Sequence, residues 1–290
     1  MSDTHANWQD WLKSLPLYLL PHHAISRLVY RASRWRTPLK DPLARWFIRQ
    51  YGLNMDEALQ PDPTRYASFN DLFTRELAPG ARPLDPDPMA VLCPADSRIS
   101  QFGRIHQGRV IQAKAHDYSV ASLLGIDTQA AQAYEGGEFI TLYLSPRDYH
   151  RVHMPLTAKL KETTYVPGRL FSVAPHTTRT IPGLFARNER LVSVFAHERG
   201  QFAQVLVGAI NVASIETVWA GEVTPRWKRE LEQRDYLDYG LKFERGAEMG
   251  RFNLGSTVIL VFPPGMIQWH SDLKVGQALK MGEKLAMLSA

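Results

Sequence analysis

From about residue 91 onward, turn dipeptides cut the chain into short apolar runs, and this limits its fold more than any other feature. Gly136-Gly137, Pro167-Gly168, Pro182-Gly183 and Pro264-Gly265 mark the turns. Glycine takes backbone angles other residues avoid, and proline fixes its own. Between the turns lie residues 139–144, 191–195, 205–207, 217–219 and 257–262, all of strand length. Residues 257–262 (TVILVF) are continuously apolar, the pattern of a strand buried on both faces. No repeat of roughly 20–50 residues is present, which excludes solenoids and propellers. The expectation is a mainly antiparallel β body.

The first 60 residues read differently. Helical patterns there are broken by Pro16, Pro21, Pro38 and Pro42, and a hinge follows at Pro61-Asp62-Pro63. Trp8, Trp11, Leu12 and Leu15 recur at helical spacing. Ile25, Leu28, Val29 and Ala32 make one apolar face, with Arg27, Arg31 and Arg34 on another. Between His22 and Tyr51 stand seven basic residues and one acid, Asp41, so this window alone exceeds the whole-chain charge of +5. Basic amphipathic helices with tryptophans lie well in a bilayer interface. An ordinary helical hairpin with a solvated basic face is the plainer alternative. Nucleic-acid binding is disfavoured, because the patch is short and carries no recognition motif. No apolar run approaches the roughly 18–20 residues that span a membrane, and the start lacks the marks of a signal peptide. The expected place is the cytoplasm, or the cytoplasmic side of a membrane as a peripheral protein.

The fold class expected is therefore α+β: an amphipathic helical segment over 1–60, then a β-rich domain over 61–290. Ser68 or Asn70 is expected to cap a helix over 71–77. The charged segment 226–245 reads as a mobile surface loop. The single cysteine, Cys93, excludes an intramolecular disulfide and a multi-cysteine zinc site, and is most simply a small buried hydrophobe.

Three segments carry chemistry. Residues 254–257 (LGST) put Ser256 at the entry to the apolar strand, where a serine beside a base is a nucleophile. Gly255 lacks a Cβ, which leaves its carbonyl open to close approach. Residues 145–155 (SPRDYHRVHMP) carry His150 and His153 three apart, and histidine is the usual base near neutral pH. Residues 93–97 (CPADS) put Asp96 on a turn, where a carboxylate can orient a histidine. Each has a bland reading: a turn before a strand, a half-buried histidine pair, an Asx turn. A zinc hydrolase using His150 and His153 is a rival, weakened by the lack of a third ligand at metal-binding spacing. Ser256, His153 and Asp96 together supply a nucleophile, a base and an orienter.

The combination resembles the phosphatidylserine decarboxylase family, bacterial and mitochondrial type, from about Tyr66 to the C-terminus. The matching stretches are 66–77 (YASFNDLFTREL), 112–119 (QAKAHDYS), the His150/His153 segment, 165–168 (YVPG), 185–190 (FARNER), 207–209 (VGA), 214–221 (SIETVWAG) and 250–257 (GRFNLGST). Ser97 stands where the family usually has glycine, and 226–245 matches no family pattern.

The resemblance implies a self-processed, pyruvoyl-dependent carboxy-lyase of phospholipid biosynthesis. By it, Ser256 attacks Gly255 with His153 as base and Asp96 as orienter, giving a β chain of 1–255 and an α chain of 256–290. Ser256 becomes the covalent pyruvoyl cofactor, which forms a Schiff base with phosphatidylserine. His150 assists decarboxylation or protonation to phosphatidylethanolamine, and no metal is required. The implied partners are phosphatidylserine, an anionic membrane surface and the two chains of one precursor, with a homodimer of that unit admitted. A non-catalytic membrane-surface binding protein of the same fold is the second rival.

Overall fold

The apolar run at 257–262 becomes the middle of a sheet. The Ser256–Phe262 strand pairs antiparallel with Glu138–Leu144 on one side and Gly200–Val207 on the other. All seven of its residues are buried. The structure, a computed structural model, describes residues 6–113, 116–210, 214–226, 230–254 and 256–289. Among the described residues this sheet has nine strands. From one edge they run Glu232–Asp235, Ala158–Val166, Arg190–His197, Gly200–Val207, Ser256–Phe262, Glu138–Leu144, Ser97–Arg104 and Ala278–Leu279, with Lys242–Phe243 also paired to Ala158–Val166. The Gly136-Gly137 turn is a steric requirement here. A Cβ on Gly137 would stand 2.1 Å from the Phe262 carbonyl oxygen.

A four-stranded sheet orders Gly221–Glu222, Ile215–Thr217, Glu248–Phe252 and Arg151–His153. Two connections join it to the large sheet. Residues 145–150 link Glu138–Leu144 to Arg151–His153, and residues 253–255 link Glu248–Phe252 to Ser256–Phe262. The strands at either end of these connections are paired with each other. The two connections therefore cross the same gap, and the Phe252 N–H donates to the His150 carbonyl across it at 3.0 Å. This joint positions the site.

The N-terminal helices are α1 (Trp8–Ser14), α2 (His22–Ser33) and α3 (Lys40–Tyr51). Pro42 does not break α3. It sits in the first turn, where a missing N–H costs nothing. Helices α1 and α2 are amphipathic in an unusual sense, with polar residues on the buried side. In α2 the buried residues are His22, Ser26 and Ser33, whereas Leu28 is 68% exposed. Trp8, Leu12, Leu19, Trp35, Leu39 and Trp46 are exposed as well. Polar contacts tie the inner face down: Tyr30 donates to Glu222 at 2.7 Å, and Arg34 pairs with Glu222.

Two expectations from the sequence are corrected. The helix expected over 71–77 is α4, Phe69–Phe73, capped by Ser68, whose side chain accepts from the Asp71 N–H. It ends early because Leu77 leaves to form a β-bridge with Ala58. The segment 226–245 is no free loop over its described residues. Glu232–Asp235 and Lys242–Phe243 pair with Ala158–Val166, and Tyr236 is buried. Residues 227–229 lie outside the described residues. Cys93 is buried, as expected.

Helix α1 is clamped to the body through Asp10, which is only 5% exposed. Arg179 donates to both Asp10 oxygens at 2.9 Å, and the Thr180 hydroxyl donates to Ser14 Oγ at 2.7 Å. The Arg179 hydrogen bonds hold the Asp10 carboxyl below its ordinary pKa, against the opposing cost of burial. Arg179→Ala strands a buried carboxylate, at a cost of about 2 kcal/mol, or roughly thirtyfold more frequent opening of α1. Limited proteolysis should then cut the first 14 residues correspondingly faster, with the β body untouched.

Candidate active site

Ser256 opens the central strand and is fully buried, and its Oγ has no hydrogen-bond partner among the described residues. An unsatisfied buried hydroxyl costs about 1–3 kcal/mol, so it calls for a chemical reason. Gly255, the other half of the expected cleavage site, lies outside the described residues.

His150 ends the connection that crosses the gap beside residues 253–255. It is fully buried, its ring 4.1 Å from that of Phe73 on α4. The Asp148 carboxylate holds the turn by accepting from the Ser145 N–H and hydroxyl, each at 2.7 Å. That turn aims the Asp148 carbonyl at His150 Nδ1–H, which donates to it at 2.8 Å. The lone pair of the neutral ring is then on Nε2, which, like Ser256 Oγ, is buried and without a partner among the described residues. Burial pushes the His150 pKa down to about 3.

His153 lies on the Arg151–His153 strand, and its Nδ1–H donates to the Gly246 carbonyl at 2.8 Å. Its Nε2 accepts from the Tyr149 hydroxyl at 3.1 Å. Burial lowers its pKa, and the Gly246 hydrogen bond opposes that shift. Both histidines are thus held in one tautomer, with Nε2 as the acceptor.

Asp96 is buried on the turn before the Ser97–Arg104 strand. Arg82 grips it from Nε at 2.8 Å and from Nη2 at 2.5 Å, and the Met281 N–H donates to it at 2.9 Å. Arg82 also donates to Glu57 at 2.6 Å. The His153 N–H donates to the Pro94 carbonyl at 2.8 Å, which brings the Asp96 turn alongside that strand. Asp96 lies close enough for its charge to act on both histidines. The expected Asp96–His153 hydrogen bond is not made in this conformation. Arg82 holds the carboxylate, and Gly246 takes the imidazole N–H that a triad carboxylate would take.

The structure thus gathers Asp96, His150, His153 and Ser256 on neighbouring strands and connections, with no direct hydrogen bond among the four. Four groups to which the sequence gave no role complete the surroundings: Phe73, Arg82, Tyr149 and the Gly246 carbonyl. Phe73 and Tyr149 lie within stretches the sequence marked, at 66–77 and 145–155, and Arg82 and Gly246 carried no signal. Among the described residues no group of three or more His, Cys, Asp or Glu side chains converges to hold a metal. The zinc-hydrolase alternative therefore has no ligand set there.

A cavity of about 140 Å³ adjoins the joint, lined by Phe47, Tyr51, Phe73, Tyr143, Leu144 and Leu254. Leu144 is the cross-strand partner of Ser256. A larger cavity of about 530 Å³ shares Tyr143 and Val173 with it. Among the described residues no helix is long and apolar enough to cross a membrane.

Known proteins resemble the chain over nearly its whole length. The family model for phosphatidylserine decarboxylase matches residues 69–287, and a model described as PSD matches residues 12–52. A phosphatidylserine decarboxylase proenzyme of Bordetella bronchiseptica is 52% identical over 284 residues, covering 97% of this chain and 95% of the relative. Proteins of the same name from Pseudomonas fluorescens and Pseudomonas putida are each 54% identical, covering 93% of this chain and 95% of each relative. The chain belongs to the phosphatidylserine decarboxylase family.

Proposed function

We infer that this chain is the precursor of a phosphatidylserine decarboxylase that cuts itself between Gly255 and Ser256 and works as the resulting two-chain enzyme. One observation carries the reading: a serine hydroxyl, buried and without a partner among the described residues, at the joint of two sheets whose other connection carries a buried histidine with a free lone pair. The proenzyme naming of the relatives supports the same order of events.

In the precursor, Ser256 Oγ attacks the Gly255 carbonyl and the peptide becomes an ester. His153 Nε2 takes the serine proton once the Tyr149 hydroxyl yields its place, with Nδ1–H still on Gly246. Asp96 acts on His153 through its charge, favouring the imidazolium that then forms. β-Elimination leaves a carboxylate at Gly255 and a dehydroalanine at 256. Water converts the latter to a pyruvoyl group and ammonia. The 35-residue piece 256–290 stays bound. Val258 to Phe262 are fully buried, and their burial contributes on the order of 10 kcal/mol.

The buried pocket suits a small prosthetic group made from the serine itself, because no polar partner of Ser256 among the described residues has to be displaced. In mature enzyme the pyruvoyl group supplies an electron sink for the pair left behind by carbon dioxide. The chain's own residues do the rest. His150, held neutral, offers Nε2 as a proton acceptor, and anionic substrate raises its proton affinity so that it can return a proton to the substrate carbon. Phe73 and Leu144 keep the centre dry, which favours loss of the carboxylate charge.

The substrate arrives from an anionic membrane surface, to which the protein binds peripherally from the cytoplasmic side. Exposed Trp8, Leu12, Leu28, Trp35 and Trp46, interleaved with arginines, support this. Helix α3 turns Trp46 outward and Phe47 into the small cavity, so the surface that meets lipid is one helix away from Ser256.

The test is intact mass under denaturing conditions. Wild type should give two chains split at Gly255–Ser256, the smaller lighter by one ammonia than a serine-started peptide. Ser256→Ala should give one chain, folded and inactive. A cleaved, active Ser256→Ala protein refutes the mechanism.

Membrane contact is tested with Leu28→Glu/Trp35→Glu. These side chains are exposed, so the fold should hold while sedimentation with anionic vesicles falls at least tenfold. Unchanged sedimentation refutes the surface.

The histidine is tested by pH. Folded His150 stays neutral down to about pH 3, whereas an unfolded histidine titrates near 6.5. Between those values only the unfolded state binds the proton, so stability is lost as pH falls through that window. In the Ser256→Ala background, His150→Gln should lower the slope of unfolding free energy against pH there by about 1.4 kcal/mol per unit. An unchanged slope would mean His150 is not a buried neutral base.

A further inference from the structure

Leu254 has a φ of +107°, a conformation that is rare for any residue with a Cβ. It stands immediately before Gly255, and the chain is pinned on both sides of it. On the N-terminal side, Asn253 is 1% exposed. Its N–H donates to the Ser214 carbonyl at 2.9 Å and its Nδ2 to Ser214 Oγ at 2.5 Å. Its Oδ1 accepts from Asn70 Nδ2 on α4 at 3.0 Å. On the C-terminal side, Ser256 is already in register with Leu144, and Thr257 pairs with both Tyr143 and Val207. The Leu254 side chain packs against the cluster of Phe47, Leu53, Phe69 and Phe73. The chain cannot relax toward either end without breaking buried hydrogen bonds or withdrawing Leu254 from that cluster.

We propose that Leu254 is a strained positioning residue, and that its backbone strain, held by Asn253 and the central strand, accelerates the attack of Ser256 on Gly255. The idea rests on the self-cleavage reading above. Strain raises a rate only so far as the transition state releases it. Here the release is available. As the Gly255 carbonyl carbon turns tetrahedral, the flat peptide linking it to Ser256 is lost, and the two-residue span between the anchors gains a rotation. After the cut, the chain ending at Gly255 is free of the C-terminal anchor. The direction of the reaction is thereby favoured as well as its rate. Leu254 touches neither proton nor carbonyl in this account; its contribution is the conformation it is made to hold.

Two substitutions separate strain from packing. Leu254→Ala removes the contact with the aromatic cluster but keeps a Cβ, and so keeps the strain. Leu254→Gly removes both, because glycine takes positive φ without penalty. In the uncleavable Ser256→Ala background the glycine precursor should melt higher than the alanine precursor. With Ser256 present, freshly translated chains are followed on denaturing gels. The glycine variant should cleave about tenfold more slowly than the alanine variant, equivalent to 1.4 kcal/mol. Equal cleavage rates overturn the proposal. So does a glycine precursor that both melts lower and cleaves more slowly, since that is loss of order and not release of strain. If wild type itself does not cleave, the self-cleavage reading fails first, and the intact-mass experiment registers that separately.

Discussion

Burial of the Ser256–Phe262 strand on both faces and both edges fixes where the rest of the chain must go. All seven of the strand's residues pair with Glu138–Leu144, and Thr257 to Val261 pair with Gly200–Val207 as well. It cannot slip by one residue without breaking its ladder with both neighbours and repacking both of its buried faces. Its first residue, Ser256, is therefore placed by six residues of core behind it. The geometry of the site is rigid on that side whatever happens to the loop in front. The same strand keeps a cut chain in one piece. The C-terminal segment also pairs through Ala278–Leu279 and Lys284–Leu288 with strands of the larger part, so chemistry at Gly255–Ser256 need not cost the fold.

The N-terminal helices answer a different constraint. Helices α1 and α2 are bound to the body by their polar side, through Asp10 on Arg179 and Tyr30 and Arg34 on Glu222, and turn tryptophans and leucines to the outside. In water this arrangement wastes apolar area. It is stable because the polar contacts are specific, and it becomes favourable where an apolar phase covers the outer face. Helix α3 connects this surface to the chemistry, since Phe47 and Tyr51 wall the same cavity as Phe73 and Leu254.

Much of this was legible in the chain itself, and the exceptions have common causes. The central strand, the turns flanking it and the serine at its head show up because their signals are local: a continuous apolar run, glycine pairs and a tetrapeptide. Asp96, His150, His153 and Ser256 were singled out by their motifs, and the structure puts them on neighbouring strands and connections. What holds them was not singled out. Arg82 on Asp96, Gly246 and Tyr149 on His153, and Phe73 on His150 are pairings that tertiary packing sets, and of these only Tyr149 lies near its partner in the sequence. The segment 226–245 misled for another reason. Its strands lie on an edge and are largely exposed, so they carry charge where a buried strand would alternate, and charge is what keeps such an edge from further pairing. Periodicity identified α2 as amphipathic but not which face meets the protein. Here the face is the polar one.

On the proposed reading, the dry joint lets one place serve two reactions. Burial leaves Ser256 Oγ without a partner among the described residues and keeps both histidines neutral at physiological pH. A neutral imidazole with its proton fixed on Nδ1 presents a base at Nε2 without a counter-charge, and both His150 and His153 are set in this way by carbonyls of the main chain. Serine attack needs such a base. Loss of a carboxylate needs the absence of water and of stabilising cations around the leaving charge. Arg82 is taken up by Asp96 and Glu57, whereas the buried Arg75 is close enough for its charge to lower the proton affinity of His150. Holding Asp96 away from His153 thus has a second effect: it keeps the Arg82 guanidinium occupied. The acid that a triad would place on the histidine instead neutralises the arginine, and a backbone carbonyl is left to orient the base.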